Sequence, residues 1–213
     1  MPRLLLTAGP TREPIDSVRF IGNRSSGRMG LAIAAAADAA GWTVTLLLGP
    51  GPQAPSEPID TIRFETTAEL NTLLHEHWPA HDVLIMAAAV ADERPADLPT
   101  DGKRARGDAR TLQLEPTPDL LAGLDPITRS GQYRVGFALE PAAQLLERAK
   151  AKMKNKHLDA IVANPLSAMD ATTIDATLLL ANGDTVHAPE CIEKTAFATW
   201  LIEHITPQLP ATT

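Results

Sequence analysis

The chain has 213 residues, 44% hydrophobic and 21% charged, which is ordinary for a globular domain and excludes a disordered or fibrous chain. A formal net charge of −7 argues against a general nucleic-acid or membrane-surface binder, which is usually basic, but allows an anionic small substrate held by local cations. The single cysteine, Cys191, excludes an intramolecular disulfide framework and fits a reducing compartment, so the cytoplasm is the expected location.

No apolar run approaches the ~18 residues that span a membrane. The opening "MPRLLLTAGP" has three leucines soon broken by Gly9 and Pro10, so it is not expected to be a signal peptide. Arg3–Thr7 reads as a short apolar strand. Leu31–Ala40 is alanine-rich and reads as a helix that Gly41 stops. Thr43–Leu48 is a second strand, followed by the proline-glycine loop "GPGPQAPSEP". Thr61–Phe64 is a third strand, and Ala68–His77 a helix with Leu70, Leu73 and Leu74 on one face. Val83–Ala88 is a fourth strand, Tyr133–Ala138 a fifth, Pro141–Lys154 a helix and Asp159–Ala163 a sixth strand. Apolar strands alternating with helices predict an α/β, doubly wound, Rossmann-like parallel sheet covered on both faces. Asn182-Gly183 joins two strand-like runs, so a C-terminal β-hairpin is expected within residues 170–190, with a closing helix over 191–206. The whole chain reads as one domain, its core over residues 1–165.

Ligands of open α/β sheets bind beyond the carboxyl ends of the strands, so the segments that follow strands are the candidates. After the first strand comes "TAGPTREPIDSVRFIGNRSSGRMG", too long for the compact G-x-G-x-x-G turn of a dinucleotide site and without a Walker A pattern. Ser25, Ser26 and Gly27 precede a helix. They suit a phosphate at the helix start, and equally an ordinary serine cap. "MAAAVAD" offers small residues that let a ligand approach the backbone, with Asp92 as an acceptor. Ala91–Arg110 is a long polar stretch containing Lys103, Arg104 and Arg106; it reads either as a surface loop or as a functional lid. Thr117 or Asp119 caps a short helix. Phe137 either stacks on a base or packs. Lys152 and Lys156 share a helix face and suit either solvent or a phosphate. The histidines are scattered, there is no G-x-S-x-G elbow, and no metal ligands can be assigned.

Taken together these segments resemble the phosphopantothenate–cysteine ligase family of coenzyme A biosynthesis. The resemblance covers nearly the whole chain. It is carried by the opening signature, "AAVAD" at Ala88–Asp92, "TPDLL" at Thr117–Leu121, "VGFA" at Val135–Ala138 and "KMKNKHLDAIVAN" at Lys152–Asn164, in the family's order. It implies a CTP-dependent ligase. The carboxylate of 4′-phosphopantothenate is activated as an acyl-cytidylate with loss of pyrophosphate, and the amine of cysteine then displaces CMP. Mg²⁺ on the triphosphate is expected.

By the same resemblance, Asn23, Lys103 and Arg19 form the catalytic set: Asn23 at the acyl-cytidylate, Lys103 as the mobile-loop lysine that closes on the triphosphate, Arg19 ordering the site or the dimer. Gly9, Ser25, Ser26 and Gly27 are implied at the nucleotide's phosphates, Ala88, Ala89 and Asp92 beside the cytidine. Pro118, Asp119, Leu120, Leu121, Phe137, Lys152 and Lys156 complete the implied nucleotide contacts. A homodimer is implied, with the Asn182-Gly183 hairpin as a candidate pairing element. In many bacteria this domain follows a flavin-dependent decarboxylase, so a decarboxylase domain or protein is an expected partner.

The sequence departs from the family pattern in three places. The family's K-x-K-K is here Lys103-Arg104-Ala105-Arg106, Leu139 and Pro141 alter the turn after the fifth strand, and Gly22 stands where serine is common. The alternatives are an NAD(P)-binding oxidoreductase and a non-catalytic relative. The missing glycine fingerprint and the acid-free end of the second strand, "LLLGPGP", count against the first; Asn23, Asp92 and Lys103 count against the second.

Overall fold

The computed structural model describes residues 1–51, 55, 58–97, 102–103, 107, 109–169 and 171–210. From the amino terminus, strand β1 (Arg3–Ala8) leads into a hairpin of β2 (Arg12–Pro14) and β3 (Phe20–Gly22), then helix α1 (Arg28–Ala39). Strands β4 (Thr43–Leu48) and β5 (Asp60–Arg63), helix α2 (Thr67–His77) and strand β6 (Val83–Met86) follow. A second hairpin, β7 (Glu93–Pro95) and β8 (Leu114–Pro116), precedes helix α3 (Leu120–Gly123), β9 (Tyr133–Glu140), α4 (Leu145–Asn155) and β10 (Ala160–Pro165). The chain closes with β11 (Thr173–Ile174), β12 (Thr177–Leu180), β13 (Thr185–His187), β14 (Ile192–Glu193) and α5 (Lys194–Ile205).

Eight strands form one sheet in the order β13-β12-β10-β9-β6-β1-β4-β5. From β10 to β5 every pairing is parallel, while β12 and β13 add antiparallel. The parallel strands are apolar on both faces because helices cover both. On one face Ile33 and Ala37 of α1 pack with Phe197, Leu201 and Ile205 of α5. On the other lie Leu70 and Leu74 of α2, Trp78, Leu120 and Leu121 of α3 and Ala149 of α4. The alternation along β10 divides it between them, Ala160 and Val162 facing α1 and α5, Ile161 and Ala163 the opposite face. Leu74 is fully buried, and its truncation to alanine is expected to cost about 2–5 kcal/mol.

The six expected strands and four longer helices are present with shifted ends. Helix α4 starts at Leu145 because Pro141–Gln144 makes a separate 3₁₀ turn. Helix α5 starts at Lys194 because Ile192–Glu193 pairs with β11. Helix α2 carries a capping box: Thr66 accepts from the Glu69 N–H and the Glu69 side chain accepts from the Thr66 N–H. The Asn182-Gly183 turn does join a hairpin, but β12 pairs with β10, so the hairpin widens the main sheet instead of forming a separate element. At the base of the polar stretch after Asp92, β7 pairs with β8.

Candidate active site

The helix start at "SSGRMG" differs from an ordinary serine cap. Gly27 is the N-cap residue, in the left-handed region at φ 70°, and no side chain caps the helix. Ser25 Oγ instead accepts from the Gly27 N–H at 3.4 Å. Three residues on, a Cβ on Gly30 would sit 2.3 Å from the Ala8 Cβ. Only glycine lets α1 lie this close to the end of β1, and that approach holds the helix start at the carboxyl edge of the sheet. A Cβ on Gly22 would lie 2.7 Å from the Thr11 carbonyl oxygen, so the backbone here is built around glycine.

Beside the helix start runs Ala88–Asp92, whose backbone is tied down at successive residues. The Ala88 N–H donates to Thr7 Oγ1 at 3.1 Å and the Ala91 N–H to Thr11 Oγ1 at 2.9 Å. The Ala89 N–H donates to the Gly9 carbonyl at 2.9 Å, and the Thr11 N–H to the Ala89 carbonyl at 3.1 Å. Thr117 Oγ1 donates to the Ala91 carbonyl at 2.6 Å. Asn23 Nδ2 donates to the Val90 carbonyl at 2.7 Å. Behind this lies a buried relay in which Thr67 Oγ1 donates its one proton to Glu13 Oε1 at 2.7 Å and stands 3.2 Å from Thr11 Oγ1, whose hydroxyl it can accept. The opening signature thus does structural duty: Thr7, Gly9 and Thr11 hold the small-residue loop.

A cavity of about 860 Å³ opens between these segments at the strands' carboxyl ends. Helix α4 supplies its cations. Lys152 Nζ donates to the Phe137 carbonyl at 2.8 Å. Burial, and next the charge of Lys156, hold the Lys152 ammonium below the usual lysine range. Lys156 pairs with Asp119 at 3.0 Å, while Asp119 caps α3 by accepting from the Ala122 N–H at 3.2 Å. Phe137 lies within β9, its side chain packed toward the α1 and α5 face. Strand β9 continues through Leu139, which also lines the cavity, before Pro141 turns the chain.

The cavity therefore gathers Asn23, Ser25, Ser26, Gly27, Ala88, Ala89 and Asp92 with Pro118, Asp119, Leu120, Leu121, Phe137, Lys152 and Lys156. Three expected residues stand outside its walls. Gly9 is buried behind Ala89. Arg19 is in the β2–β3 turn, where its Nη2 meets Asp16 at 2.6 Å. Lys103 is exposed, next to Gly102, whose N–H donates to Ser17 Oγ at 2.9 Å. Arg19 and Lys103 thus share an arm built from the two hairpins. Arg104, Ala105 and Arg106 lie outside the described residues.

Among the lining residues that sequence reasoning left without a role are Asn164 at the end of β10 and Lys194 at the start of α5. The signal for the first was an asparagine closing an otherwise apolar strand. Nothing local marked the second. Among the described residues no three His, Cys, Asp or Glu side chains converge as a metal site, and no helix is long and apolar enough to cross a membrane. The buried ion pair of Arg134 with Asp125, which His157 joins, lies outside the cavity walls and ties β9 to the turn after α4.

Residues 2–209 match the family described as the DNA/pantothenate metabolism flavoprotein C-terminal domain. The chain is 45% identical to a protein named cysteine/cysteine sulfinic acid decarboxylase from an unknown prokaryotic organism, over 77% of this chain and 46% of that one. It is 38% identical to the coenzyme A biosynthesis bifunctional protein CoaBC of Mycobacterium bovis, over 95% of this chain and 51% of that protein. This chain thus spans about half the length of these relatives. Among solved structures it superposes on the C-terminal domain of a CoaBC protein with a TM-score of 0.83 and 32% identity, covering 97% of this chain and 95% of that domain.

Proposed function

The chain belongs to the DNA/pantothenate metabolism flavoprotein C-terminal domain family, and from that premise we propose that it joins 4′-phosphopantothenate to cysteine at the expense of CTP, in the cytoplasm, as a step of coenzyme A biosynthesis. The observation that carries this reading is the convergence of the segments after β1, β6, β8, β9 and β10 on one cavity with two lysines at its wall. Its similarity to CoaBC proteins supports the same reaction.

The substrate carboxylate attacks the α-phosphorus of CTP. A P–O bond forms, the bond to pyrophosphate breaks, and the acyl carbon gains a leaving group. The amine of cysteine then attacks that carbon, a C–N bond forms, CMP leaves with the C–O electron pair, and the amine gives up a proton. Phosphoryl transfer of this kind depends on positioning and on cations facing the charge that develops. Lys152 and Lys156 serve as the wall cations, and Lys103 reaches the triphosphate from the arm. Asn23 offers its amide at the acyl-cytidylate without adding charge. Ser25, Ser26 and Gly27 place N–H groups at a helix start, where phosphate is favoured. Asp92 accepts from the nucleoside. Asp92 in the cavity wall would be the carboxylate to help hold Mg²⁺, which needs only one or two carboxylates beside substrate and water oxygens and would supply charge neutralisation at the phosphoryl oxygens.

The chain acts as a homodimer in this reading, the β12–β13 edge of the sheet being the candidate contact, and works beside a decarboxylase domain or protein. Pyrophosphate release should require the acid and CTP together, and the ligated product should appear only when cysteine is added. Absence of release with CTP, ATP, UTP or GTP would remove the ligase reading. A single-chain mass by light scattering at micromolar concentration would remove the dimer.

A further inference from the structure

Glu13 and Thr67 carry more hydrogen bonding than the start of α2 requires. Glu13 is 3% exposed, Thr67 1%, and Thr11 is fully buried. A buried carboxylate is costly unless hydrogen bonds meet it. Glu13 Oε1 accepts from the Thr67 N–H at 2.9 Å, one of the N–H groups that a helix start leaves without a partner. That bond alone would serve as a cap. Glu13 Oε1 also accepts from the Thr67 hydroxyl at 2.7 Å, and there a longer chain ends.

A hydroxyl has one proton, so the direction of each bond in that chain is set. The Thr67 proton goes to Glu13, so Thr67 Oγ1 accepts from Thr11 Oγ1 at 3.2 Å. Thr11 Oγ1 in turn accepts from the Ala91 N–H at 2.9 Å. That N–H belongs to the Val90–Ala91 peptide group, and the carbonyl of the same group accepts from Asn23 Nδ2 at 2.7 Å. The dipoles from Asn23 to Glu13 therefore point one way. Bonds aligned in this sense polarise one another, and a charged acceptor at the end strengthens them. Thr7 offers the contrast. It likewise accepts from the small-residue loop, at the Ala88 N–H, but its own proton meets only the Met86 sulfur at 3.7 Å. A carbonyl can only accept, so the Val90 carbonyl also decides which end of the Asn23 amide faces the loop.

We propose that Glu13 is a positioning residue for ligation: acting through Thr67, Thr11 and the Val90–Ala91 peptide group, it fixes and polarises the Asn23 amide in the cavity wall. Glu13, Thr67 and Thr11 themselves stand outside the cavity walls. The inference rests on the ligase reading, in which Asn23 serves the acyl-cytidylate.

The test uses the whole chain with Thr67→Val and Thr67→Ser. Both keep the main-chain N–H from which Glu13 accepts, and valine removes only the hydroxyl link. The measurements are kcat, KM for each substrate, melting temperature and the side-chain amide signals of Asn23 in heteronuclear NMR, identified as those lost in Asn23→Ala. Thr67→Val should lower kcat roughly tenfold, the scale of one hydrogen bond. It should leave KM for CTP and for the acid within about twofold and move the Asn23 signals. Thr67→Ser should restore most of kcat and return the signals. Glu13→Gln keeps an acceptor without the charge, so it should show a smaller loss in the same direction; it carries the test should Thr67→Val fail to fold. In an Asn23→Ala chain the valine should cost less than about twofold more, because the group it acts through is gone. A wild-type kcat with a lower melting temperature makes the relay structural and overturns the proposal. So do unmoved Asn23 signals, or losses that multiply in the double variant. Wild type is assayed alongside. If it forms no product, the ligase reading falls and takes this inference with it; if it does and the Asn23 signals stay unmoved in Thr67→Val, only this inference falls.

Discussion

Around Ala88–Asp92 the backbone is tied to Thr7, Gly9, Thr11, Asn23 and Thr117. The arm that carries Arg19 and Lys103 is fastened at its tip by a different set, which includes Ser17 with Gly102 and Arg19 with Asp16. The floor is half-buried, Ala91 fully, and its main chain is hydrogen-bonded to neighbouring main-chain and side-chain groups. The arm is exposed, with Val18 58% and Phe20 48% accessible. Groups that hold a substrate can be set in a rigid wall. A cation that must meet charge appearing at phosphorus is better carried on a part that can approach after the substrate has entered. In the proposed reading the contrast separates binding from chemistry, and it can be broken by changing one region at a time.

The largest effect is expected from the arm. Lys103→Gln should lower kcat about 100-fold or more, the scale of losing one charge-stabilising donor. Calorimetry should still find CTP bound with near wild-type affinity. Wild-type turnover would remove Lys103 from the mechanism and the contrast with it. Next comes Asn23→Asp, which replaces the donor to the Val90 carbonyl with an acceptor. Product formation should fall roughly tenfold or more, since a carboxylate facing a carbonyl or an acyl-cytidylate is repulsive. Intact coupling to cysteine would require the step at the acyl carbon to be redrawn.

Gly30→Ala tests the floor as structure. The added Cβ would overlap the Ala8 Cβ, so α1 must shift, at about 1–3 kcal/mol. Thermal melting should report a loss of roughly 2–4 °C per kcal/mol for a chain of this size. Unchanged melting would mean that the helix start is not held where the structure has it.

The smallest effect is a change of pH profile. Burial first, and then Lys156, keep the Lys152 ammonium below its ordinary range. In Lys156→Met the second cause is gone, so the Lys152 pKa rises. Only the protonated lysine attracts phosphate, so CTP binding should persist to higher pH in the variant than in wild type. Binding titrations across the alkaline range check the direction. A limb that moves to lower pH would show that the two lysines do not share a field.

The main sheet was legible because its strands are apolar on both faces and its helices announce themselves through alanine, leucine spacing and stop residues. The Asn182-Gly183 turn was equally plain, although only pairing across residues far apart in sequence reveals that β12 extends the parallel sheet. Short hairpins were not legible. "REP", "FIG", "ERP" and "LEP" are too brief to alternate, and three of them contain proline, which ordinarily speaks against a central strand. Of the two readings open for the start of α1, the serine cap is not the one formed: serine before a helix usually caps it, but here a left-handed Gly27 is the N-cap residue and no side chain caps. Most wall residues were reached through the family's motifs. Lys194 was not, and Asn164, although it closes the Lys152–Asn164 motif, was given no role, because the meaning of both depends on what stands opposite them across the cavity.

Glu13 gives the arm a mechanical character. Its carboxylate, buried in β2, accepts from the Thr67 N–H at 2.9 Å and from the Thr67 hydroxyl, at the first turn of α2. The arm is therefore a cantilever, clamped at the root and loaded at the tip. Bending should be taken up beyond Pro14, between the clamp and the Ser17–Gly102 fastening, and should die out before it reaches Ala89. Amide hydrogen exchange would display the gradient directly, slow at Ala89 and Ala91 and faster at Ser17; equal rates would mean that the clamp does not hold.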